Sequence, residues 1–365
     1  MSTVFLRNGN SYRPADEADL DLHTVLPPEN FIVQINPRTE QFFFTKVDPF
    51  TLPSKLYGKT ERQAERILNT FADRSTSTGV LLAGEKGSGK TLLAKTLSVR
   101  GAELGYPTII INSPYRGDNF NKLIQDINQP AIVFFDEFEK VYDCDQQTEL
   151  LTLLDGAFPT KKLFIFTCNN EHRVDEHMRN RPGRIYYHLD FRGLEEAFIR
   201  EYCMECLNNT QHIDKIVQLS NVFDQFNFDM LKALVEEMNR YNESPRDALE
   251  MLNTKPGGDA RSEYRITLTV KGVDVTEHLY ERMWSGSPLS ARGISLCLSA
   301  ADDGENDPID TSLPDKVRNG GCAEFTPTDL VKIEPNGNLV YKNLDGDVAV
   351  FERIILSSFD YRLAF

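Results

Sequence analysis

At 365 residues the chain exceeds the usual size of a single domain, so at least two folded units with an interior core are expected. A formal net charge of −15 argues against broad attraction to nucleic-acid phosphates, which rests on clustered Lys and Arg, but leaves room for a local basic pore. No run of about 18 apolar residues exists, MSTVFLRNGNSYRP lacks the apolar core of a secretion signal, and the six cysteines are too dispersed for a disulfide scaffold. A cytoplasmic protein with reduced thiols and no membrane association is the expectation.

Residues 1 to about 30 read as irregular, with the acidic run from Asp16 to Asp21 as a solvated loop. FIVQI and QFFFTKV flank Asn36-Pro37-Arg38-Thr39, which predicts a hairpin ahead of the main domain. The proline-spaced VDPFTLPSKLYG follows as a linker, so 1–56 form an N-terminal extension. From Glu61, ERQAERILNTFADR has helical spacing, with Ile67, Leu68 and Phe71 on one face.

The runs TGVLLAG, TIIIN, AIVFFDEF and KLFIFTCN then alternate with helical stretches, which predicts an α/β domain over 57–192 built on a parallel sheet with helices on both faces. Four helical patterns follow, giving a small helical domain over 193–254. One contains Cys203-x-x-Cys206, read as helix packing because no second pair stands at zinc-ligand spacing. Beyond Lys255-Pro256-Gly257-Gly258, segments rich in β-branched residues predict a C-terminal β domain over 259–365, with Asp302 to Asp307 as a further solvated loop.

Gly84-Glu85-Lys86-Gly87-Ser88-Gly89-Lys90-Thr91 fits G-x4-G-K-[ST] between an apolar strand and a helix that continues through Leu92. Glycines let backbone N–H groups converge on phosphate oxygens, the helix N-terminus adds positive potential, Lys90 reaches the outer phosphates, and Thr91 offers a hydroxyl to magnesium. The apolar strand Ala131 to Phe135 ends in Asp136 and Glu137. Two acids at the tip of a buried strand point to use: Asp136 to orient Mg2+ and Glu137 to act as general base on a water. A further apolar strand ends at Asn169, an amide able to bond that water or the terminal phosphate, though Asn169 or Asn170 can equally open the loop.

Together these residues resemble the AAA clade of the AAA+ ATPases over about Tyr57 to Met251. ELLTLLDGAF resembles that clade's inter-subunit signalling segment at Asp155, Gly156 and Phe158, and Arg181-Pro182-Gly183-Arg184 resembles its paired arginine fingers. The resemblance implies ATP and Mg2+ as cofactors, a ring of like subunits, commonly six, and fingers acting on a neighbour's ATP. It also implies that Asn112 restrains the catalytic glutamate and that Tyr57-Gly58 line the adenine side. The helical domain resembles the family's lid, with Arg246 a weak substitute for a missing sensor arginine.

Tyr115 and Arg116 stand where AAA translocases carry an aromatic pore loop, but the loop is short and arginine replaces its apolar middle residue. The leading expectation is ATP hydrolysis by a homo-oligomeric ring that remodels or threads a protein substrate. Alternatives are a nucleic-acid motor or loader, which the acidic charge disfavours, and a nucleotide-switched scaffold. H-E-x-x-H is absent from the sequence, which sets aside membrane-bound AAA proteases.

Overall fold

The computed structural model describes residues 3–8, 11–16, 23–155, 160–179, 181–191, 193–223, 226–252, 263–286, 288–290, 293–299, 313–334 and 337–354. They belong to two compact units, Met1–Phe191 and Arg192–Phe365. Gly156, Phe158 and the acidic run 302–307 lie outside the described residues.

The first unit opens with strands β1 (Thr3–Asn8) and β2 (Ser11–Asp16), an antiparallel hairpin where the sequence reads as irregular. Next come β3 (Asn30–Ile35), β4 (Phe42–Val47), helix α1 (Thr60–Asp73), β5 (Thr78–Gly84), α2 (Lys90–Glu103), β6 (Thr108–Ile111) and α3 (Asp118–Gln125). Then follow β7 (Ala131–Phe135), α4 (Phe138–Val141), α5 (Cys144–Leu154), β8 (Lys162–Cys168), α6 (Glu176–Arg179) and β9 (Tyr187–Phe191).

Seven strands form one sheet in the order β4-β3-β6-β7-β8-β5-β9. From β3 to β9 all neighbours are parallel, and only β4 runs against its neighbour. The hairpin expected ahead of the α/β domain is thus built into its sheet. Asn30 of β3 pairs with Thr108 of β6, and the buried Ser98 hydroxyl of α2 donates to Asn30 Oδ1 at 3.0 Å and lies 2.8 Å from Thr108 Oγ1. This polar pin ties the hairpin to the helix that follows the glycine loop.

Alternation along the strands sorts the core onto the two faces. Leu81 and Ala83 of β5, Val133 and Phe135 of β7, and Phe164 and Phe166 of β8 join Phe120 and Phe138 in one cluster. Their neighbours Val80, Leu82, Ile132, Phe134, Leu163 and Ile165 pack with Ile67, Phe71, Leu93 and Leu97 of α1 and α2 in another. A strand buried on both faces must be apolar throughout, which is why these segments read as unbroken apolar runs.

The second unit contains α7 (Glu196–Cys206), α8 (Ile213–Val222), α9 (Phe228–Tyr241) and α10 (Pro245–Met251), the expected four helices. Asn227 caps α9 through the Met230 N–H and Ser244 caps α10, whose first residue is Pro245, a residue suited to that position. Cys203 is buried in α7, and burial pushes its thiol up to about 11, consistent with a packing role.

The β-rich part holds β10 (Glu263–Val270), β11 (Val273–Asp274), β12 (Met283–Ser285), β13 (Ile294–Cys297), α11 (Asp315–Arg318), β14 (Cys322–Phe325), β15 (Leu330–Ile333), β16 (Leu339–Lys342) and β17 (Val348–Ile354). The order β11-β10-β17-β16-β15 is antiparallel throughout, β12 also pairs with β10, and β13 and β14 form a separate ribbon. Reduced thiols were the expectation from the sequence, yet Cys297 and Cys322 face each other across that ribbon and are joined as a disulfide. Sequence spacing could not show this, because the pair is set by strand register.

Candidate active site

Sheet order decides which sequence motifs meet. β8 lies between β5 and β7, and its register sets Cys168 beside Ala83 and Phe166 beside Phe135. The loops after these three parallel strands therefore leave the same sheet edge side by side. Crevices outside the carboxyl ends of parallel strands are where such sheets bind ligands.

After β5 the chain turns sharply. Gly84, Gly87 and Gly89 have φ of 140°, 80° and 102°, values that favour glycine, and Gly89 delivers the chain into α2. The Ser88 hydroxyl donates to the Glu85 carbonyl at 2.7 Å and closes the loop on itself. Lys86 is exposed, Thr91 and Leu92 are half-buried, and Lys90 is only 5% exposed.

The Lys90 ammonium donates to the Gly84 carbonyl at 2.6 Å, the Glu85 carbonyl at 2.5 Å and Asn169 Oδ1 at 3.1 Å. All three acceptors are neutral oxygens. Burial lowers its pKa, while Cys168, Glu139, Asp136 and Glu85 act in the opposite direction. A desolvated cation held by dipoles, at the N-terminus of a 14-residue helix and inside a glycine turn, fits an anionic phosphate chain.

Glu137 adopts φ 48° and ψ 44°, a left-handed conformation uncommon outside glycine and found at functional sites. This turn carries the chain from β7 into α4. The Lys140 ammonium donates to Glu137 Oε1 at 2.5 Å. That bond, followed in weight by burial acting the other way and then by the charges of Lys140 and Lys86 and a bond from Asn169, holds the Glu137 carboxyl below its ordinary range. Ionised at neutral pH, it can accept a proton.

Asp136 and Glu137 are linked by a residue absent from the expectations. The Thr167 hydroxyl donates to Asp136 Oδ1 at 2.6 Å and accepts from the Glu137 backbone N–H at 2.9 Å. Thr167 lies in β8, one strand over and about 30 residues along the chain. Only its position two residues before Asn169, at the end of an apolar run, marked it in the sequence.

Asn169 and Asn170 make different contacts. Asn170 Oδ1 accepts the His172 N–H at 3.0 Å and opens a short turn, whereas Asn169 Oδ1 accepts from the Lys90 ammonium at 3.1 Å. Asn112 ends β6 exposed, with its Oδ1 3.4 Å from the Ser113 hydroxyl, so its contact here is with Ser113 and not with Glu137. Gly58 has φ 67°, and the Tyr57 ring lies under the Lys55 ammonium at 4.7 Å from its centre.

The remaining expected positions are placed as follows. The Arg184 guanidinium is buried and occupied within its own chain by Asp155 and His177, while Arg181 is exposed. Of the two expected fingers only Arg181 is presented. The Tyr115 ring is packed against Phe42 and Phe120, with centres 5.2 and 6.2 Å away, and its carbonyl accepts the Tyr142 hydroxyl at 2.9 Å. The ring is half-buried and packed against the core, not a freely projecting grip. Arg116 beside it is exposed and lies 3.5 Å from Glu149. Arg246 pairs at the surface with Glu250 at 3.5 Å.

Among the described residues no cluster of His, Cys, Asp or Glu forms a self-contained metal site, and no helix is long and apolar enough to cross a membrane. The donors that could hold magnesium are Thr91 and Asp136, a set that fits an ion shared with phosphate oxygens.

Residues 80–192 match the model of the family described as ATPase family associated with various cellular activities (AAA). The chain is 30% identical over 164 residues to an ATP-dependent zinc metalloprotease, FTSH 6, chloroplastic, of Arabidopsis thaliana, covering 39% of this chain and 23% of that protein. It is 25% identical over 210 residues to the 26S proteasome regulatory subunit 6B homolog of Aspergillus niger, covering 47% and 48% respectively. The chain thus spans less than half the length of these relatives. A solved structure, the FIGL-1 AAA domain in complex with ADP, aligns with 57% of this chain and 81% of that chain at 18% identity and a TM-score of 0.40, too loosely to add to the argument. The glycine loop, the acidic strand end and the Asn169 strand all fall inside the matched segment, and the chain therefore carries, over residues 80–192, an AAA domain of the AAA+ P-loop ATPases.

Proposed function

We propose that the chain hydrolyses ATP in a magnesium-dependent reaction and uses the energy to act on a protein substrate within a ring of like subunits. The observation that carries the catalytic part is the convergence of Lys90, Asn169 and Glu137 at one sheet edge, with Asp136 held beside them by Thr167.

Bound MgATP would supply the transferable phosphoryl group and the metal charge that offsets its developing negative charge. The backbone N–H groups of Gly84 to Lys90 and the Lys90 ammonium bind and orient the phosphates. Thr91 and Asp136 would hold the metal. Glu137, ionised, accepts a proton from the attacking water at its carboxylate, and the Asn169 amide orients that water. Arg181, exposed in the segment before β9, is the group a subunit can offer to a neighbour's site.

Action on protein, and not on nucleic acid, is supported by the chain's −15 net charge and by relatives that include a proteasome subunit and a metalloprotease. Threading by Tyr115 is not part of this reading, because the ring is packed. A hexamer is the assembly the family resemblance suggests.

The test is Glu137→Gln, which keeps shape and hydrogen bonding but removes the base. Calorimetry should give ATP affinity close to wild type, and turnover should fall at least about a hundredfold. Turnover near wild type would move the base elsewhere. Proteomics of material retained by this variant, against a Lys90→Ala control, would identify the substrate class; recovery of nucleic acid in place of protein would overturn the protein-directed reading.

A further inference from the structure

A third acid follows the two already assigned. Glu139 lies in α4, two residues beyond the left-handed turn at Glu137, and that turn folds its side chain back into the protein. It is only 9% exposed. Its Oε1 accepts the Asn169 backbone N–H at 2.9 Å, and its Oε2 is buried with no hydrogen-bond partner among the described residues.

A carboxylate is expensive to bury, and a half-satisfied one more so, unless the position needs it. Phe138 beside it shows what core packing alone selects: fully buried and stacked edge-on against Phe166 at 4.9 Å. Glu139 instead meets the end of β8, where the Asn169 side chain touches the site. Asn169 is held through its main chain by Glu139, while its side-chain oxygen accepts from Lys90 at 3.1 Å and its amide helps keep the nearby Glu137 carboxyl below its ordinary range. The main-chain bond fixes where the Asn169 Cα sits, and so fixes the reach of its amide. A backbone N–H at the end of β8 has no further strand partner to hold it, and a charged acceptor gives a stronger bond than a neutral one.

We propose that Glu139 is a positioning residue of this site, whose buried carboxylate anchors the Asn169 main chain so that the Asn169 amide stands between Lys90 and Glu137. The proposal rests on the ATPase reading for its kinetic consequence, but the anchor itself is a property of the nucleotide-free protein.

Three substitutions test it. Glu139→Leu removes the acceptor. Glu139→Asp keeps the charge but draws the carboxylate back by one methylene, away from the Asn169 N–H. Glu139→Gln keeps an acceptor oxygen at full reach. In nucleotide-free protein, exchange of the Asn169 amide hydrogen should accelerate about tenfold or more in the Leu and Asp variants and stay near wild type in Gln. In ATPase assays, kcat should fall about tenfold or more for Leu and Asp with KM changed by no more than about threefold, and Gln should restore most of it. Combining Glu139→Leu or Glu139→Asp with Asn169→Ala should add little to the loss caused by Asn169→Ala alone, because both act through one side chain.

Unchanged exchange at Asn169 in both Leu and Asp variants, or kinetic losses that add in the double variants, would overturn the proposal. If Glu139→Leu does not fold, Glu139→Asp decides the matter by the same readouts. A wild-type protein that does not hydrolyse ATP would fail the ATPase reading, and the exchange result would still decide the anchor.

Discussion

Arg184 holds Asp155 with two parallel hydrogen bonds, from Nε to Oδ1 at 2.7 Å and from Nη2 to Oδ2, and its Nη1 donates to the His177 carbonyl at 2.7 Å. The guanidinium side chain is 8% exposed and the carboxylate 48%, so one face of the pair is sealed and the other wet. The paired hydrogen bonds hold the Asp155 carboxyl below its ordinary range. Close backbone packing secures the same segment: a Cβ on Gly79 would come within 1.9 Å of the Arg184 carbonyl.

This division of labour between two arginines three residues apart is measurable. Arg184→Ala should lower unfolding stability by about 2 kcal/mol, from lost charged hydrogen bonds and an abandoned carboxylate. Arg181→Ala, at an exposed site, should leave the melting temperature unchanged and lower kcat by about a hundredfold or more if it serves a neighbour's site. Paired melts and steady-state kinetics check both. A stable, inactive Arg184→Ala would return the finger role to that residue.

Tyr115→Ala should act on stability and not on substrate handling alone. Its half-buried ring packs against Phe42 and Phe120, and truncating it should cost about 1–2 kcal/mol, less than for a fully buried aromatic. Denaturant unfolding would show the loss. A variant with unchanged stability and lost substrate stimulation would put the ring back into a gripping role.

Thr167→Val removes the hydroxyl that joins Asp136 to the Glu137 backbone while conserving shape. Loss of the bridge should lower kcat about tenfold or more and weaken the apparent magnesium affinity, with stability reduced by only about 1–2 kcal/mol. Magnesium titration of the ATPase rate separates this from a general loss of fold.

Lys162, at the start of β8, is fully buried, with its ammonium donating to the carbonyls of Ile127 at 2.9 Å, Gln129 at 3.1 Å and Thr160 at 2.9 Å. Burial lowers its pKa from 10.5 to about 8. Between these values the unfolded chain binds more protons than the folded one, so the contribution of Lys162 to stability rises with pH across that window and is flat below it. At about 1.4 kcal/mol per unit the gain is bounded at about 3 kcal/mol. Denaturant midpoints at pH 7.5 and 10 should differ less in Lys162→Met than in wild type. Met removes the ammonium's hydrogen bonds to these carbonyls and to Thr160 Oγ1, although the Thr160 hydroxyl still reaches the Ile127 and Gln129 carbonyls, so its curve should also lie lower throughout. Equal pH slopes in the two proteins would show that the lysine is not held as described.

The glycine loop, the acidic strand end and the apolar strands were legible because each is local: Lys90 follows its glycines directly, and a strand buried on both faces declares itself residue by residue. The α/β class and the four helices followed for the same reason, since helical and strand periodicity is written over a few positions. What depends on contacts between distant segments was not legible. Tyr115 looks the same in sequence whether its ring faces solvent or Phe42, and only the insertion of β3 and β4 into the sheet provides the aromatic wall. Arg181 and Arg184 are equivalent as letters, and the proximity of Asp155 and His177 buries one of them. The Cys297 to Cys322 pairing is fixed by register between two strands, and Glu139 and Thr167 matter only because β8 lies between β5 and β7. The sequence by itself determined which chemistry the chain can carry, since that chemistry resides in single side chains and short turns. The tertiary structure decided which of those side chains are free to act, because burial and hydrogen bonding depend on which strands become neighbours.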